Sequence, residues 1–400
     1  MRILHTSDWH LGQNFYTKSR AKEHQAFLDW LLAQAQQHAA DAIIVAGDIF
    51  DTGSPPSYAR ELYNRFVVRL QASRCRLYIL AGNHDSVAML NESRELLACL
   101  QTQVIATPTT QPLLMTTHSG EPGAILCPIP FLRPRDILRS QAGQSGREKQ
   151  QSLLEAIAEH YRACHTAALA LRGDRPLPVI ATGHLTAVGA SASDSVRDIY
   201  IGTLDAFPAQ AFPPADYIAL GHIHRAQRVG GMEHIRYSGA PIPLSFDDTN
   251  TPGSVNLVTF RHGALESVAP LAVPVTQPLA VVKGTLDEIE RRLETWRSAP
   301  ASPITWLNIE INTDEYLHDI QRRIQQLTQT LPVEVVLMRR ARELRQRAID
   351  GQLNASLSEL SVAEVFERRL TLEALDAERK KRLRTLFAQT LEALNEEEQV

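Results

Sequence analysis

Five short apolar runs, each followed at once by a polar turn, constrain the fold of this chain more than any other feature of its sequence. The runs are almost continuously apolar and rich in β-branched residues, which is typical of strands that are buried on both faces. They are residues 2–7, 42–46, 76–81, 178–182 and 217–220. Residues 19–38 and 57–73 carry apolar side chains at helical spacing, so they are predicted crossover helices. Buried strands that alternate with helices predict an α/β fold.

Shorter strand-like runs separated by turns occupy two further stretches, residues 103–130 and 234–268. This alternation is typical of antiparallel strands, so we expect these stretches to form a second sheet. The pattern ends near Pro270, where prolines become frequent. Residues 1–270 are therefore assigned to the main domain.

Two smaller regions follow the main domain. Residues 271–338 have the order strand, helix, strand, helix, strand, which predicts a compact α/β domain. Residues 339–400 begin with an arginine-dense linker and continue into two amphipathic helical segments. Ser361 and Glu364 have the spacing of a capping box at the start of the first of these helices.

Composition excludes several classes of protein. The chain has 400 residues, of which 44% are hydrophobic and 22% charged, as expected of a globular protein and not of a disordered or membrane protein. Its net charge of −4 means that any nucleic acid must bind a local basic patch. The first residues show neither a basic stretch followed by a long apolar run nor a small-residue cleavage site, so we expect a protein that is not exported, and no run approaches the length of a membrane span. The four cysteines show no paired spacing, so we expect reduced packing residues in a cytosolic protein.

Side chains that bind metals follow all five buried strands. They are Asp8 and His10, then Asp48, then Asn83, His84 and Asp85, then His184, and last His222 and His224. Because the carboxyl ends of strands in an open α/β sheet share one edge, these side chains are expected to converge on one crevice. Oxygen and nitrogen donors without thiolates suit Mn²⁺, Fe or Zn²⁺. The set is too large for one ion, and two ions about 3.5 to 4 Å apart that share a carboxylate are typical of phosphoester hydrolysis.

Taken in order, the five turns resemble the signature of the calcineurin-like metallophosphoesterase family. They read Asp8-x-His10, Gly47-Asp48, Gly82-Asn83-His84-Asp85, Gly183-His184 and Gly221-His222-x-His224. The wider patterns at 7–12 and 47–51 resemble the DNA-repair nuclease branch of this family. The resemblance covers essentially the whole chain. It implies a two-sheet β-sandwich flanked by helices, with a small α/β cap domain and C-terminal helices.

The resemblance also implies roles for the residues. Two Mn²⁺ ions are expected, with Mg²⁺ or another divalent ion as the alternative. The implied ligands are Asp8, His10, Asp48 and His224 for the first ion, and Asp48, Asn83, His184 and His222 for the second, with Asp48 as the bridge. His84 is expected to stabilise the transition state or protonate the leaving oxygen. Asp85, to which the resemblance gives no role, is expected to be a solvated carboxylate or to orient His84, with a further metal ligand as the alternative. Archaeal and eukaryotic relatives carry a histidine where this sequence has Asp51, which leaves the balance of exonuclease and endonuclease activity open.

The implied activity is that of a DNA nuclease that works with an ATPase. This branch combines ATP-dependent 3′–5′ exonuclease activity on duplexes with endonuclease activity on single strands and hairpins. It acts in recombination, replication and double-strand-break processing. The sequence has no G-x-x-x-x-G-K-[ST] motif, so the ATPase must be a separate subunit. The resemblance implies an SMC-like ATPase whose coiled-coil base binds the helices of 339–400, and a homodimer within a heterotetramer. Packing of these helices on the main body is the alternative to binding a partner.

Some assignments keep an alternative. Arg133, Arg135 and Arg139 form a candidate DNA-backbone track, and so do Arg60, Arg65 and Arg69 on the second predicted helix, with a solvated surface as the alternative for both. The fold and metals also suit an enzyme for small phosphoesters or phosphoproteins, because the signature is shared across the superfamily. A third hypothesis is a non-catalytic scaffold, which leaves the complete ligand set unexplained.

Overall fold

A computed structural model describes residues 1–138, 145–190, 206–249, 251–298, 302–312 and 317–340, together with ten positions between 366 and 387. The strands are β1 (Arg2–Thr6), β2 (Asn14–Phe15), β3 (Lys18–Ser19), β4 (Ala42–Ala46), β5 (Arg76–Leu80), β6 (Thr102–Ile105), β7 (Leu113–Thr116), β8 (Pro122–Cys127), β9 (Val179–His184), β10 (Tyr217–Gly221), β11 (Gln227–Val229), β12 (Met232–Tyr237), β13 (Ser254–Arg261), β14 (Ala264–Ala272), β15 (Leu279–Gly284), β16 (Thr305–Ile311) and β17 (Val333–Arg340). The helices are α1 (Ala21–Gln37), α2 (Ser57–Leu70), α3 (Val87–Glu92), α4 (Arg94–Cys99), α5 (Pro134–Ile137), α6 (Gly146–Arg172), α7 (Leu286–Glu294) and α8 (Leu317–Thr328). None of these helices combines the length and the apolar character needed to cross a membrane. The predicted capping box at Ser361 and Glu364 lies outside the described residues.

Two six-stranded sheets form the body of the molecule. The first has the order β14-β13-β1-β4-β5-β6, and the second β11-β12-β10-β9-β8-β7. All five predicted buried strands are present, as β1, β4, β5, β9 and β10, and the two predicted crossover helices are α1 and α2. The predicted α/β fold with two sheets and flanking helices is confirmed.

The alternation of side chains along β4 explains why its sequence is apolar throughout. Ile44 belongs to the core between the two sheets, where it is fully buried with Ala219 of β10. Ile43 and Val45 point the other way and pack in a second core with α1 and α2. Successive side chains of a strand face opposite sides, so a strand between a sheet and a helical layer needs apolar residues at every position.

The antiparallel strands do not all join the second sheet, which corrects one expectation. β13 and β14 extend the first sheet, with Leu4 of β1 opposite Leu257 of β13. The second sheet instead contains the parallel neighbours β9 and β10. Alternating hydrophobicity predicts that a run is a strand, but it does not choose the strand's partner. The five motif strands are therefore divided between two sheets.

The region after the body forms a three-stranded sheet, β15-β16-β17, with α7 and α8. The order of these elements agrees with the sequence pattern, and Ile289, Ile309 and Ile324 are buried there. The chain divides into two compact units, residues 1–310 with 314–339, and residues 311–313 with 340–400. The domain boundaries at 270 and 338 stay predictions.

Candidate metal centre

The turns that follow the five motif strands meet between the two sheets. The backbone N–H of Asp8 donates to the carbonyl of Gly47 at 3.0 Å, which joins the turns after β1 and β4. The backbone N–H of His222, after β10, donates to Asp8 Oδ1 at 2.9 Å and so links the sheets. The predicted convergence is present, but it takes place across two facing sheets instead of along one sheet edge.

Three groups of side chains have ligand atoms within 4.8 Å of one another. The groups are Asp8, His10 and His224; His10, Asp48 and His84; and Asp8, Asp48 and His184. Asp48 belongs to two of them, as a bridging ligand requires, and so do Asp8 and His10. All of these side chains are buried except His84, which is partly exposed. The described residues thus offer adjoining sites to two cations.

Four of the predicted ligands have an unusual backbone conformation. Asp8, His10, Asp48 and His222 all have a positive φ, of 53°, 45°, 53° and 91°. Such a conformation costs a non-glycine residue about 1 to 3 kcal/mol and is concentrated at functional sites in proteins. The surrounding sheets therefore hold these side chains in directions that the free chain would avoid.

Glycines next to the ligands allow the turns to approach closely. A Cβ on Gly47, whose φ is +95°, would lie 2.2 Å from His184 Nδ1. A Cβ on Gly82 would lie 2.1 Å from Asp48 Oδ1. Neither distance is possible for a real side chain, so these two positions must be glycine for the ligands to keep their places.

Hydrogen bonds orient two of the histidines toward Asp48. Nδ1 of His184 donates to the carbonyl of Ala46 at 2.9 Å, which leaves Nε2 facing Asp48 Oδ2 at 3.2 Å and Asn83 Oδ1 at 2.9 Å. Nδ1 of His10 lies 3.1 Å from Asp51 Oδ1, and its Nε2 lies 3.7 Å from Asp48 Oδ2. A second partner of this kind fixes the tautomer of a metal-binding histidine.

Two ring nitrogens in the cluster test whether it fits a metal. His10 Nε2 and His222 Nε2 are buried and have no hydrogen-bond partner among the described residues. A buried polar atom without a partner costs about 1 to 3 kcal/mol, so proteins rarely leave one unsatisfied. A cation bound by these nitrogens and the neighbouring carboxylates satisfies both, and the mixed oxygen and nitrogen donors fit a divalent transition metal.

Burial and neighbouring charges shift the pKa values of the clustered side chains in different directions. Burial alone would raise the pKa of Asp48, but nearby His184 and His10 hold that pKa far below its ordinary value. Burial raises the pKa of Asp8, and the charge of Asp48 raises it further. Burial acts against a charged His184, yet Asp48 raises the pKa of this histidine to about 9. Burial lowers the pKa of His222 to about 3, so this ring is neutral and able to bind a cation.

His84 lies at the open side of the cluster. Its backbone N–H donates to Asp48 Oδ1 at 2.9 Å, and its ring meets that of His10 edge to face at 4.7 Å. Its Nδ1 donates to the carbonyl of Asp51 at 2.7 Å, which directs Nε2 away from this bond. The distances between ligand atoms place His84 in one candidate metal group with His10 and Asp48. They do not test whether His84 donates a proton, so that role stays a prediction.

Comparison with known proteins agrees with this geometry. Residues 1–226 match the model of the calcineurin-like phosphoesterases. This chain belongs to the calcineurin-like phosphoesterase family. It is a metal-dependent phosphodiesterase, and the clustered side chains are candidate groups for the dinuclear divalent-metal site of that family. Residues 275–374 match a second model, described as the type 5 capsule protein repressor C-terminal domain.

Several characterised relatives are similar over most of their length. The chain is 66% identical over 394 residues to the SbcD subunit of the nuclease SbcCD from Escherichia coli strain K12, which covers 98% of each chain. It is 32% identical over 354 residues to the SbcD subunit of the nuclease SbcCD from Rhodobacter capsulatus, which covers 84% of this chain and 86% of that one. Among solved structures, a dimetal phosphatase from Danio rerio is 12% identical, with a TM-score of 0.37, covering 65% of this chain and 92% of that chain.

Asp85 differs from its expected place in this phosphoesterase site. It is buried, and its carboxylate accepts the backbone N–H groups of Ile49, Phe50 and Gly82 at 3.2, 3.0 and 2.8 Å. It is therefore not solvated, and the hydrogen bond that orients the His84 ring comes from Asp51 instead. Burial raises the pKa of Asp85 to about 6. Its position after His84 in the motif was visible in the sequence, but its backbone partners depend on the tertiary fold.

The predicted DNA-backbone arginines have different surroundings. Nη2 of Arg133 donates to the carbonyl of Asp85 at 3.0 Å, and its guanidinium lies over the ring of Phe131 at 5.4 Å. The side chain of Arg135 is 79% exposed. Arg139 lies outside the described residues. DNA contact by these arginines stays a prediction.

Proposed function

We propose that this phosphodiesterase is the nuclease subunit of an SbcCD-type complex and that it hydrolyses DNA phosphodiesters with two Mn²⁺ ions. The observation that carries the proposal is the adjoining pair of candidate metal sites around Asp48, in a chain 66% identical to an SbcD subunit over 98% of its length. By this proposal the first ion binds Asp8, His10, Asp48 and His224. The second binds Asp48, Asn83, His184 and His222.

Divalent ions held by these residues would offset the charge of the phosphate and lower the pKa of water, so that hydroxide would be available to attack phosphorus. The remaining work falls to the chain itself. Asp51 holds His10 through Nδ1, and the carbonyl of Ala46 holds His184 in the same way, so the Nε2 atom of each ring would be free to bind an ion. Because these bonds are made before substrate arrives, the site does not have to be reorganised during the reaction.

His84 supplies the proton in this proposal. Its Nδ1–H is already donated to the carbonyl of Asp51, so the transferable proton is the one on Nε2 of the imidazolium. When the P–O bond breaks, that proton passes to the leaving oxygen and His84 becomes neutral. The ring borders the cleft beside the site, where His84 and His10 both line the wall. The strand to be cut can reach the proton there.

The activity proposed for the assembled enzyme is ATP-dependent. It comprises 3′–5′ exonuclease action on duplex DNA and endonuclease action on single strands and hairpins, in recombination, replication and double-strand-break repair. ATP hydrolysis belongs to a separate SMC-like subunit, SbcC. DNA as substrate places the enzyme in the cytoplasm, at the nucleoid. Arg133 and Arg135 are the described candidates for contact with the DNA backbone.

We propose that the C-terminal helices bind SbcC. The match to residues 275–374 covers the start of this region, and the relatives are named as subunits of a complex. Phe366 and Phe387 lie on helical residues within the same compact unit and stack at 3.9 Å between ring centroids. This contact joins helical residues that are about twenty positions apart, and we propose that they act together as the docking element.

A homodimer within a heterotetramer completes the proposed assembly. The groove between α2 and the α3–α4 region has a volume of about 620 Å³ and includes Val68, which is 60% exposed. Leu96, on α4, is 66% exposed. Exposed apolar side chains beside a groove favour a protein contact, and we assign this surface to a second copy of the chain.

The site assignment is tested with Asp48→Ala and His84→Ala. Each variant should abolish Mn²⁺-dependent cleavage of linear and hairpin DNA, measured with end-labelled substrates with and without the ATPase subunit. Circular dichroism and thermal unfolding check that the fold survives. Cleavage at the wild-type rate by either variant would contradict the assigned roles. Much more efficient turnover of a chromogenic phosphomonoester than of DNA would favour the small-phosphoester alternative instead.

A further inference from the structure

A cleft of about 470 Å³ opens beside the metal centre. Its lining includes His10, His84 and His224 of the candidate site together with Tyr16 and Phe246. The ring of Tyr16 meets that of Phe246 at 5.6 Å with an angle of 31°. Phe246 is 3% exposed and Tyr16 is 39% exposed, so Tyr16 is the ring that a substrate strand in this cleft would meet.

The turn that carries Tyr16 is conformationally costly. Tyr16 and Thr17 link β2 to β3 as a two-residue hairpin, and both have a positive φ, of 47° and 77°. Hairpin turns with two positive φ values strongly prefer Asn-Gly, and a bulky or β-branched residue is an outlier there. Strain of this kind is concentrated at ligand and active sites. An aromatic ring at this position is thus not explained by the needs of the turn.

The two aromatic residues of the hairpin behave differently. Phe15 is 2% exposed and anchors the hairpin, stacking on Trp306 at 5.8 Å and packing against Phe246 at 5.0 Å. Lys18 forms an ion pair with Glu334 on the other side of the turn. Tyr16 is 39% exposed although it lies between these two anchored residues. The hairpin is held by its neighbours while the Tyr16 ring keeps a free surface in the cleft.

We propose that the ring of Tyr16 stacks on a nucleobase of the strand that is being cut, next to the scissile phosphate. The inference rests on the proposed nuclease function and deepens it. Every base has a π face, so such a platform accepts any sequence, as a nuclease without sequence preference requires. Tyr16 is a positioning residue: it fixes the strand so that the phosphate lies at the metals, and it takes no part in bond breaking.

Tyr16→Asn is the decisive variant, because asparagine suits this turn and removes the ring. We expect its melting temperature to equal or exceed that of the wild type. The KM for a single-stranded oligonucleotide should rise by roughly 5- to 150-fold, the range that the loss of one base–aromatic stack gives. Hydrolysis of bis(p-nitrophenyl) phosphate, which has no base, should change less than about twofold, a difference worth under half a kcal/mol. Tyr16→Trp, which keeps an aromatic ring at this position, should have a KM for DNA close to that of the wild type.

A second readout does not depend on turnover. An oligonucleotide with 2-aminopurine beside the cleavage position should lose fluorescence on binding to the His84→Ala protein, and much less on binding to the His84→Ala, Tyr16→Asn protein. Leu114→Ala is the matched control, because Leu114 is also 39% exposed but lies on β7, outside the cleft. It should leave both readouts unchanged.

The outcomes separate the two proposals. If the wild type cleaves DNA and Tyr16→Asn has the same KM and the same quenching, stacking is refuted and the nuclease function stands. If Tyr16→Asn impairs hydrolysis of DNA and of the nitrophenyl ester by the same factor, stacking is also refuted, because such a result indicates a structural role. If the wild type hydrolyses the ester but neither binds nor cleaves DNA, the proposed function itself falls and the stacking proposal with it.

Discussion

Replacing Gly47 with alanine tests whether the close approach of the two sheets determines the metal site. The new Cβ would lie 2.2 Å from His184 Nδ1, whereas ordinary contacts begin at 3.4 Å, so the ring must retreat by about 1.2 Å. That movement breaks the 2.9 Å hydrogen bond from His184 to Ala46. The φ of +95° adds about 1 to 2 kcal/mol and the overlap about 1 to 3 kcal/mol. We therefore expect Gly47→Ala to lower the free energy of unfolding by about 2 to 5 kcal/mol.

Gly120→Ala separates the cost of the positive φ from the cost of the overlap between the new Cβ and its neighbours. Gly120 has a φ of +84°, but a Cβ there meets nothing within 4 Å, so only the backbone cost of about 1 to 2 kcal/mol applies. Urea unfolding monitored by circular dichroism compares the variants, and calorimetry counts the bound divalent ions. A ring displaced by about 1 Å should also slow hydrolysis by about 100-fold in Gly47→Ala alone. The reasoning is refuted if Gly47→Ala is no less stable than Gly120→Ala and still binds two ions with full activity.

Three further predictions concern ligand orientation, metal removal and pH. Asp51→Ala removes the hydrogen bond to His10 Nδ1 and should weaken metal binding about 10- to 100-fold in calorimetric titration; an unchanged affinity would contradict the role given to Asp51. A chelator should lower the melting temperature, because ions that bind only the folded chain stabilise it; an unaltered melting temperature would count against the site. His5 is buried between Tyr217 and Leu220, and burial lowers its pKa from 6.5 to about 3. The unfolded chain then binds the proton more tightly than the folded chain does. The free energy of unfolding should therefore fall as the pH is lowered from 6.5 towards 3, by up to about 1.4 kcal/mol per pH unit. His5→Asn should show a smaller slope in acid-unfolding curves, and an equal slope would exclude His5 as its source.

The sequence alone determined the elements and the chemistry of this protein. The apolar runs at β4 and β10 showed strands buried on both faces, because a short strand that is apolar at every position must be covered on both sides. Asp8, Asp48 and His184 are predicted as ligands because each comes directly after such an apolar run, and the structure places them in one candidate metal group. Periodicity and motif order are local properties, so they can be read along the chain.

The tertiary structure decided which strands are neighbours and what supports the ligands. The pairing of β1 with β13 and the facing of two sheets arise from contacts far apart in sequence, which alternation does not specify. For the same reason the sequence could not show that Asp85 binds three backbone N–H groups or that Asp51 holds His10. A residue's type states what it can bind, but its burial and partners exist only once distant segments have packed together.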